Sequence, residues 1–362
     1  SGVNKYKIGL NLSSKVNDYV KFNSRFIVGS DKDAGFADLG SGRNTTSTTG
    51  NNPGTDKQAE VSLSNAYFGF TAIPNTVVNI GKQGLATPYT VAVDINGNEQ
   101  TGTGILALST FGPITAGAGY FNNTNLDQSL ELNLSRGLGL ENQLNLNPGA
   151  TNVLDGGSDM YVATVQGDLD FVKLEAWYAG MQNTFDSYTL AATSKIDLAE
   201  SANLGLELRH VGLKLDQEYA KNAGTIYNKV NPDALERDNA MTRLSIDGKF
   251  SIVNARLAYT MTDKDGGLTA LDQDAKNTSL GWFITSNGIA DADYFQAALG
   301  VDILDNLNLT GHYGQLKADG SDKKTINNAV KFGTIGYDQE LKQKEYYGQL
   351  TYKMSKNLTT YL

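Results

Sequence analysis

Residues 203–211 read Asn-Leu-Gly-Leu-Glu-Leu-Arg-His-Val, and this stretch carries the pattern that decides the fold. Apolar Leu206 and Leu208 alternate with charged Glu207 and Arg209. Because successive side chains of a β-strand point to opposite faces of a sheet, this alternation predicts a strand with one apolar and one charged face.

The same alternation recurs along the chain, in place of the spacing of three to four residues that marks an amphipathic helix. Six further stretches show it: residues 6–12, 20–28, 171–178, 242–247, 253–261 and 307–313. The sequence therefore predicts an all-β protein whose strands are apolar on one face and polar on the other.

The connections between the predicted strands alternate between short and long. The short turns are placed at Asn17-Asp18, Pro74-Asn75, Gly112-Pro113, Gly167-Asp168, Glu200-Ser201, Gly248-Lys249, Asp305-Asn306 and Ser355-Lys356. The long polar loops cover residues 29–59, 84–103, 122–158, 214–238, 263–292 and 317–340, with a shorter connection near 182–186. Eight short turns join sixteen strands, and transmembrane antiparallel β-barrels have this asymmetry, with short periplasmic turns and longer external loops.

The composition excludes several classes of function. The chain has 362 residues, no cysteine and two histidines, so thiolate metal sites, iron–sulfur clusters, cysteine nucleophiles and disulfides are excluded. A net charge of −9 argues against a nucleic-acid partner, because phosphate binding draws on clustered Lys and Arg. His210 and His312 have no serine or cysteine partner at a recognisable spacing, so we do not expect an enzyme.

The charged faces of the strands decide between two architectures. A soluble sandwich, the alternative fold, packs its apolar faces inward. In a barrel of about sixteen strands the interior is wide enough for water, so the charges stay solvated and the apolar faces meet lipid. We favour the barrel. Its predicted lumen-facing charges are Lys21, Arg25, Lys173, Glu175, Glu207, Arg209, Arg243, Asp247 and Arg256.

Both ends of the chain fall within the strand pattern, and no signal peptide opens it. We predict that residues 1–362 form a single barrel domain that lacks its first strand and its last one to two strands. The whole protein would then have eighteen strands, an even number compatible with closure of the barrel.

Several short stretches, taken in order along the chain, resemble one known family. They are Asn4–Lys7, Asn65–Phe70, Asn79–Gln83, Thr101–Gly104 and Glu345–Asn357. In these stretches the chain resembles the major outer membrane porins of Campylobacter and related bacteria. The resemblance implies an eighteen-stranded, trimeric general porin of the bacterial outer membrane. The C-terminal aromatic residue expected of such barrels is absent from this sequence.

The resemblance also implies a role for residues 84–103, the loop that follows the fourth predicted strand. In that family the corresponding loop folds into the barrel and narrows it. Asp94 and Glu99 are the acids of this loop. Opposed to bases on the wall, they would create a transverse field that sets selectivity; the alternative is that all these charges are ordinary solvated lumen residues. The candidate wall bases are Lys21, Arg25, Arg209, Arg243 and Arg256.

A calcium site is a second candidate. Calcium takes several oxygen ligands, often carboxylates from separate segments, and residues 263–293 are rich in aspartate. Members of the resembled family are thought to bind calcium in the pore with acids from three loops, and by position the counterparts are Asp94, Asp127 and either Asp272 or Asp274. Solvated acidic loops are the alternative. No other cofactor is needed.

The sequence as a whole predicts an outer-membrane porin for the passive diffusion of small hydrophilic solutes and ions. The alternative is a surface adhesin or antigen that displays long loops on a barrel. Thr115–Gly119, rich in small residues, is the candidate contact of the homotrimer. The tyrosines expected in an aromatic girdle at the membrane interfaces are Tyr6, Tyr19, Tyr120, Tyr178, Tyr259, Tyr313, Tyr346 and Tyr352.

Overall fold

The computed structural model describes residues 5–30, 35–41, 54–95, 97–126, 155–221, 236–319 and 340–361. The strands are β1 (Lys5–Tyr6), β2 (Ile8–Lys15), β3 (Val20–Gly29), β4 (Ala37–Asp38), β5 (Gly40–Ser41), β6 (Thr55–Asp56), β7 (Glu60–Phe70), β8 (Thr76–Gly84), β9 (Thr101–Phe111), β10 (Ile114–Thr124), β11 (Met160–Leu169), β12 (Val172–Met181), β13 (Phe185–Ala199), β14 (Ala202–Leu215), β15 (Asp238–Phe250), β16 (Val253–Thr262), β17 (Ala292–Leu304), β18 (Leu307–Ala318), β19 (Leu341–Ser355) and β20 (Leu358–Tyr361). A helical turn begins at Gln217. Within these ranges, no helix is long and apolar enough to cross a membrane.

Sixteen of the strands form one sheet, in the order β2, β3 and then β7 to β20. Every neighbouring pair is antiparallel, which confirms the predicted all-β fold and its strand count. The four remaining short strands pair as β1 with β4 and β5 with β6, in a region predicted mostly as loop. Within the described ranges, β2 and β20 do not pair with each other. The total of eighteen strands therefore stays a prediction.

Six of the eight tight turns lie within one residue of their predicted positions, and two lie further along the chain. The predictions at Gly167 and Gly248 are wrong, because both glycines lie within strands. The turns contain Asp170 and Ser251 instead, which adopt left-handed φ angles of 49° and 54°. Two-residue hairpin turns need such angles, and glycine is their commonest but not their only source.

The two faces of the sheet have the predicted orientation. Leu208 and Leu257 are 52% and 51% exposed, whereas Arg209 and Arg243 are 0% and 3% exposed. Leucine therefore lies on the outer surface and arginine lies inside, the reverse of a soluble protein. This orientation excludes the soluble sandwich and matches a barrel whose outer face contacts lipid.

The interior differs from the predicted water-filled lumen in one respect. Residues 85–95, 97–100 and 263–291 pack against the inner face of the wall, so part of the interior is an apolar core. Where a loop covers the wall, the wall residues beneath it are mostly apolar, because burying a polar group without a hydrogen-bond partner costs free energy. The main cluster includes Leu85, Tyr89, Phe121, Met160, Val162, Val211, Met241, Leu268 and Leu271.

Candidate functional site

The loop between β8 and β9 is attached to the wall through Glu99, which is 4% exposed. Arg25 of β3 donates three hydrogen bonds to this carboxylate, at 2.8, 3.0 and 3.0 Å. Lys7 lies 2.8 Å from one of its oxygens, and the Ser64 hydroxyl donates a further hydrogen bond. Arg25 and Glu99 thus pair directly, whereas the sequence prediction placed them on opposite sides of the lumen.

The surroundings of Glu99 stabilise its ionised form. Burial by itself raises the pKa of a carboxyl group, because it disfavours the charge. The hydrogen bonds from Arg25, Lys7 and Ser64 outweigh burial, and the pKa of Glu99 lies below its usual value of 4.5. Glu99 therefore remains an ionised anchor at neutral pH. Lys7 was not among the predicted site residues, although it alternates with Tyr6 and Ile8 at a polar position of the first predicted strand.

A second ionic network lies under the loop between β16 and β17. Arg209 of β14 is 3.3 Å from both Glu175 and Glu207, and Glu207 also pairs with Arg243 of β15. Arg243 donates a 2.9 Å hydrogen bond to the main-chain oxygen of Lys276 in the loop. Four predicted charges are thus brought together, but loop 263–291 covers them, so the two arginines do not face open lumen.

The two interior loops contact each other through two acids of the loop between β16 and β17. Gln100 donates a hydrogen bond to Asp272 at 2.7 Å, and the main-chain nitrogen of Ile95 donates to Asp274 at 2.7 Å. Burial, reinforced by the negative charges of Asp94 and Asp274, raises the pKa of Asp272 to about 7. The predicted acids Asp94 and Asp272 therefore lie near each other at the junction of the loops.

The remaining predicted residues lie elsewhere. Lys21 and Lys173 are exposed near the tight turns, where β3 and β12 begin. Arg256 pairs with Asp247 at 2.5 Å, with 45% of each side chain exposed. Asp127 lies outside the described residues. In the part of the chain that the structure describes, no group of three acidic or histidine side chains has the geometry of a metal site.

The loop between β16 and β17 is held by Glu345, which was not among the predicted site residues. The carboxylate of Glu345 in β19 accepts main-chain hydrogen bonds from Trp282, Phe283 and Ile284, at 2.9, 2.9 and 3.2 Å. It also accepts a 3.0 Å hydrogen bond from the hydroxyl of Tyr294. Glu345 lies on the inner face of β19, where half-buried and exposed residues alternate from Leu341 to Gly348. The polar run from Lys342 to Glu345 shows no alternation of polarity, so the sequence did not distinguish this residue.

These observations define the class of protein. A sixteen-stranded antiparallel sheet turns its leucines outward and its arginines inward, and two loops occupy its interior. This is the architecture of large membrane-spanning β-barrels.

Known structures agree with this class. No protein-family model and no curated protein matches the chain. Among solved structures, Pseudomonas aeruginosa OpdL matches with a TM-score of 0.65 and 14% identity, over 96% of this chain and 81% of its own. The outer membrane protein OprD of Pseudomonas aeruginosa matches with a TM-score of 0.62 and 15% identity, over 96% of this chain and 77% of its own. OpdK of the same species, solved with vanillate, matches with a TM-score of 0.65 and 14% identity, over 97% of this chain and 83% of its own. At these identities the likeness establishes the fold.

Proposed function

We propose that the protein is a porin of a bacterial outer membrane, through which small hydrophilic solutes and ions diffuse passively. The observation that carries this proposal is the reversed polarity of the wall, with Leu208 exposed beside fully buried Arg209. An exposed belt of leucine side chains is favourable when it contacts lipid. In lipid, a closed barrel is the form in which β-strands pair all of their backbone hydrogen-bonding groups.

Selectivity would arise from the interior charges that the loops leave accessible. Asn254, Arg256, Lys249, Asn308 and His312 line an interior cleft of about 360 Å³. Lys249 pairs with Asp302 across the strands, and Arg256 pairs with Asp247. Rings of fixed charge and the width of the pore set which solutes pass, and no chemical step is required.

The first prediction concerns conductance. Protein refolded in detergent and added to a planar lipid bilayer should open in discrete steps, and liposomes that contain it should swell in small sugars. A barrel that only displays loops, the adhesin alternative, would bind a cell surface without conductance. Folded protein with heat-modifiable gel mobility but no openings would contradict the porin proposal.

The narrower proposal is membership of the major outer membrane porin family, with a homotrimer. Support comes from the short stretches noted in the sequence and from β10, where Ala116 and Ala118 give a flat outer face between Ile114 and Tyr120.

Openings in groups of three would support the trimer. The variant Ala118→Arg should then yield monomers in detergent, whereas the inward-facing substitution Thr115→Ser should not.

We include a calcium ion, held by Asp94, Asp272 and Asp127, in this proposal. Asp94 and Asp272 supply the hard oxygen donors that calcium prefers, and their mutual repulsion at the loop junction would be relieved by a divalent cation. Such an ion would hold the two loops together.

A further prediction tests this calcium ion. Millimolar calcium should raise the melting temperature of the protein more than equal magnesium does. Asp272→Asn should abolish this difference, whereas Asp265→Asn, which changes a half-buried aspartate of the same loop outside the proposed ligands, should retain it. Equal shifts with both cations in the unmodified protein would exclude a specific calcium site.

A further inference from the structure

Part of the interior is lined by apolar side chains that are not covered by the described residues. Trp282 and Phe283 are 42% and 79% exposed, and Ile95 of the other interior loop is 53% exposed. The inner surface of a channel barrel is ordinarily polar. Large apolar groups exposed to water there are unfavourable, and such patches mark binding surfaces.

The exposed rings are stacked on the inner wall. The Trp282 ring meets Tyr347 edge-on, with centroids 4.7 Å apart and planes at 72°. Tyr347 stacks on His312 at 4.3 Å and 8°. Phe283 stacks on Trp282 at 5.3 Å. Four rings from β18, β19 and the loop between β16 and β17 thus form a continuous platform, which we call the ring platform.

The ring platform is held in position before any ligand arrives. The carboxylate of Glu345 accepts hydrogen bonds from three successive main-chain nitrogens, those of Trp282, Phe283 and Ile284. The same carboxylate accepts a hydrogen bond from the hydroxyl of Tyr294, a residue that is fully buried. A surface fixed in this way loses little conformational entropy on binding, which favours affinity.

A cleft adjoins the ring platform. It has a volume of about 630 Å³ and is lined by Ile95, Gly281, Trp282, Tyr347, Gln349 and Tyr361. This volume lies within the range of sites for small organic molecules. Among the described residues, its lining carries three aromatic rings, one amide and no charged side chain, so these residues favour binding of an aromatic ring over binding of a charged group.

We propose that this cleft binds solutes with an aromatic ring, which stack on Trp282 and Tyr347 on their way through the barrel. The proposal rests on the porin function proposed above and adds a solute class to it. Stacking is favourable for planar π-systems and weaker for puckered rings of the same size, so the site discriminates between them.

The test uses Trp282 as its own reporter. The chain has two tryptophans, so Trp177→Phe leaves Trp282 as the only one. Benzoate and cyclohexanecarboxylate have equal charge and similar size but differ in ring planarity. In this background benzoate should change the emission of Trp282 with saturation, and cyclohexanecarboxylate should bind at least about fivefold more weakly.

Adjacent residues supply matched variants. Tyr347→Leu should weaken benzoate binding about five- to tenfold, and Tyr347→Phe, which keeps the ring, should retain it. Tyr346→Leu changes the next residue, which is 82% exposed on the outer face, and should have no effect. Equal affinity for both acids, a response that does not saturate, or equal effects of the two leucine variants would overturn the proposal.

Conductance without added solute separates this proposal from the porin function. If the channel conducts but the emission of Trp282 does not saturate with benzoate, the ring site is wrong and the porin stands. If benzoate binds with the expected discrimination and no channel opens, the porin proposal fails and the ring platform remains as a binding site.

Discussion

Replacing Arg209 with methionine is expected to destabilise the barrel by about 3–5 kcal/mol, the cost of leaving buried carboxylates without their partner. The Arg209 side chain is fully buried, and the Glu175 and Glu207 side chains are 7% and 21% exposed. Methionine has similar length but no charge, so Glu175 loses the ion pair that the structure shows for it. Loop 263–291 also loses the 3.3 Å hydrogen bond from Arg209 to Asn277.

The matched control is Arg256→Met. Arg256 lies on the same inner face of the wall, and its ion pair with Asp247 is 45% exposed on both sides. Exposed pairs contribute at most about 1 kcal/mol, so this variant should unfold almost as the unmodified protein does. The measurement is the midpoint of urea unfolding in lipid vesicles, followed by tryptophan emission. Equal midpoints for the two variants would show that Arg209 is not buried under the loop.

Replacing Glu99 with glutamine is the second variant for which we expect a large effect. It leaves Arg25 and Lys7 without their carboxylate, and a broken buried pair costs about 3 kcal/mol or more. Since a free-energy difference of about 1.4 kcal/mol is tenfold in an equilibrium constant, the attachment of residues 97–100 to the wall should weaken more than a hundredfold. The barrel itself should persist, because the affected contacts belong to the loop.

Hydrogen–deuterium exchange measures this loss of attachment directly. Amide protection in residues 91–100 should fall in Glu99→Gln, and the conductance of the channel should change with it as the loop moves. Glu200→Gln, at an exposed tight turn, is the control and should change neither. Unchanged protection in Glu99→Gln would mean that other contacts fix the loop.

The pH dependence of the same loop has a defined sign. The folded pKa of Glu99 is lower than its usual value of 4.5, so its ion pairs contribute fully above that value. Their contribution is lost as the pH falls below about 4.5 through the folded pKa. Acidification should therefore increase exchange of residues 91–100 in the unmodified protein. Glu99→Gln, which lacks this carboxyl group, should show a smaller pH effect in the same range.

Taken together, the anchors give the two interior loops distinct attachments. Glu99 fixes the first loop to β3, and Glu345 fixes the second to β19. The loops contact each other through Gln100 and Asp272. A change at Glu99 should therefore also affect the ring platform, because the loop that Glu99 anchors contacts the loop that carries Trp282.

The sequence alone determined the strands and the orientation of their faces. The alternation of Leu206, Glu207, Leu208 and Arg209 is local, because the backbone of a strand turns each successive side chain to the opposite face. It also predicted sixteen strands and six of eight turns. The two misplaced turns show the limit of local signals, because Asp170 and Ser251 take left-handed angles where a neighbouring glycine seemed the better candidate.

Only the tertiary structure decided which charges meet. Arg25 and Glu99 are 74 residues apart, and Arg209 and Asn277 are 68 apart, so no local pattern relates them. Nor did the sequence reveal that loop 263–291 enters the interior and brings Trp282 onto Tyr347. These contacts depend on how the sheet curves and on where each loop finds an uncovered apolar surface, and both are properties of the assembled wall, not of any one strand.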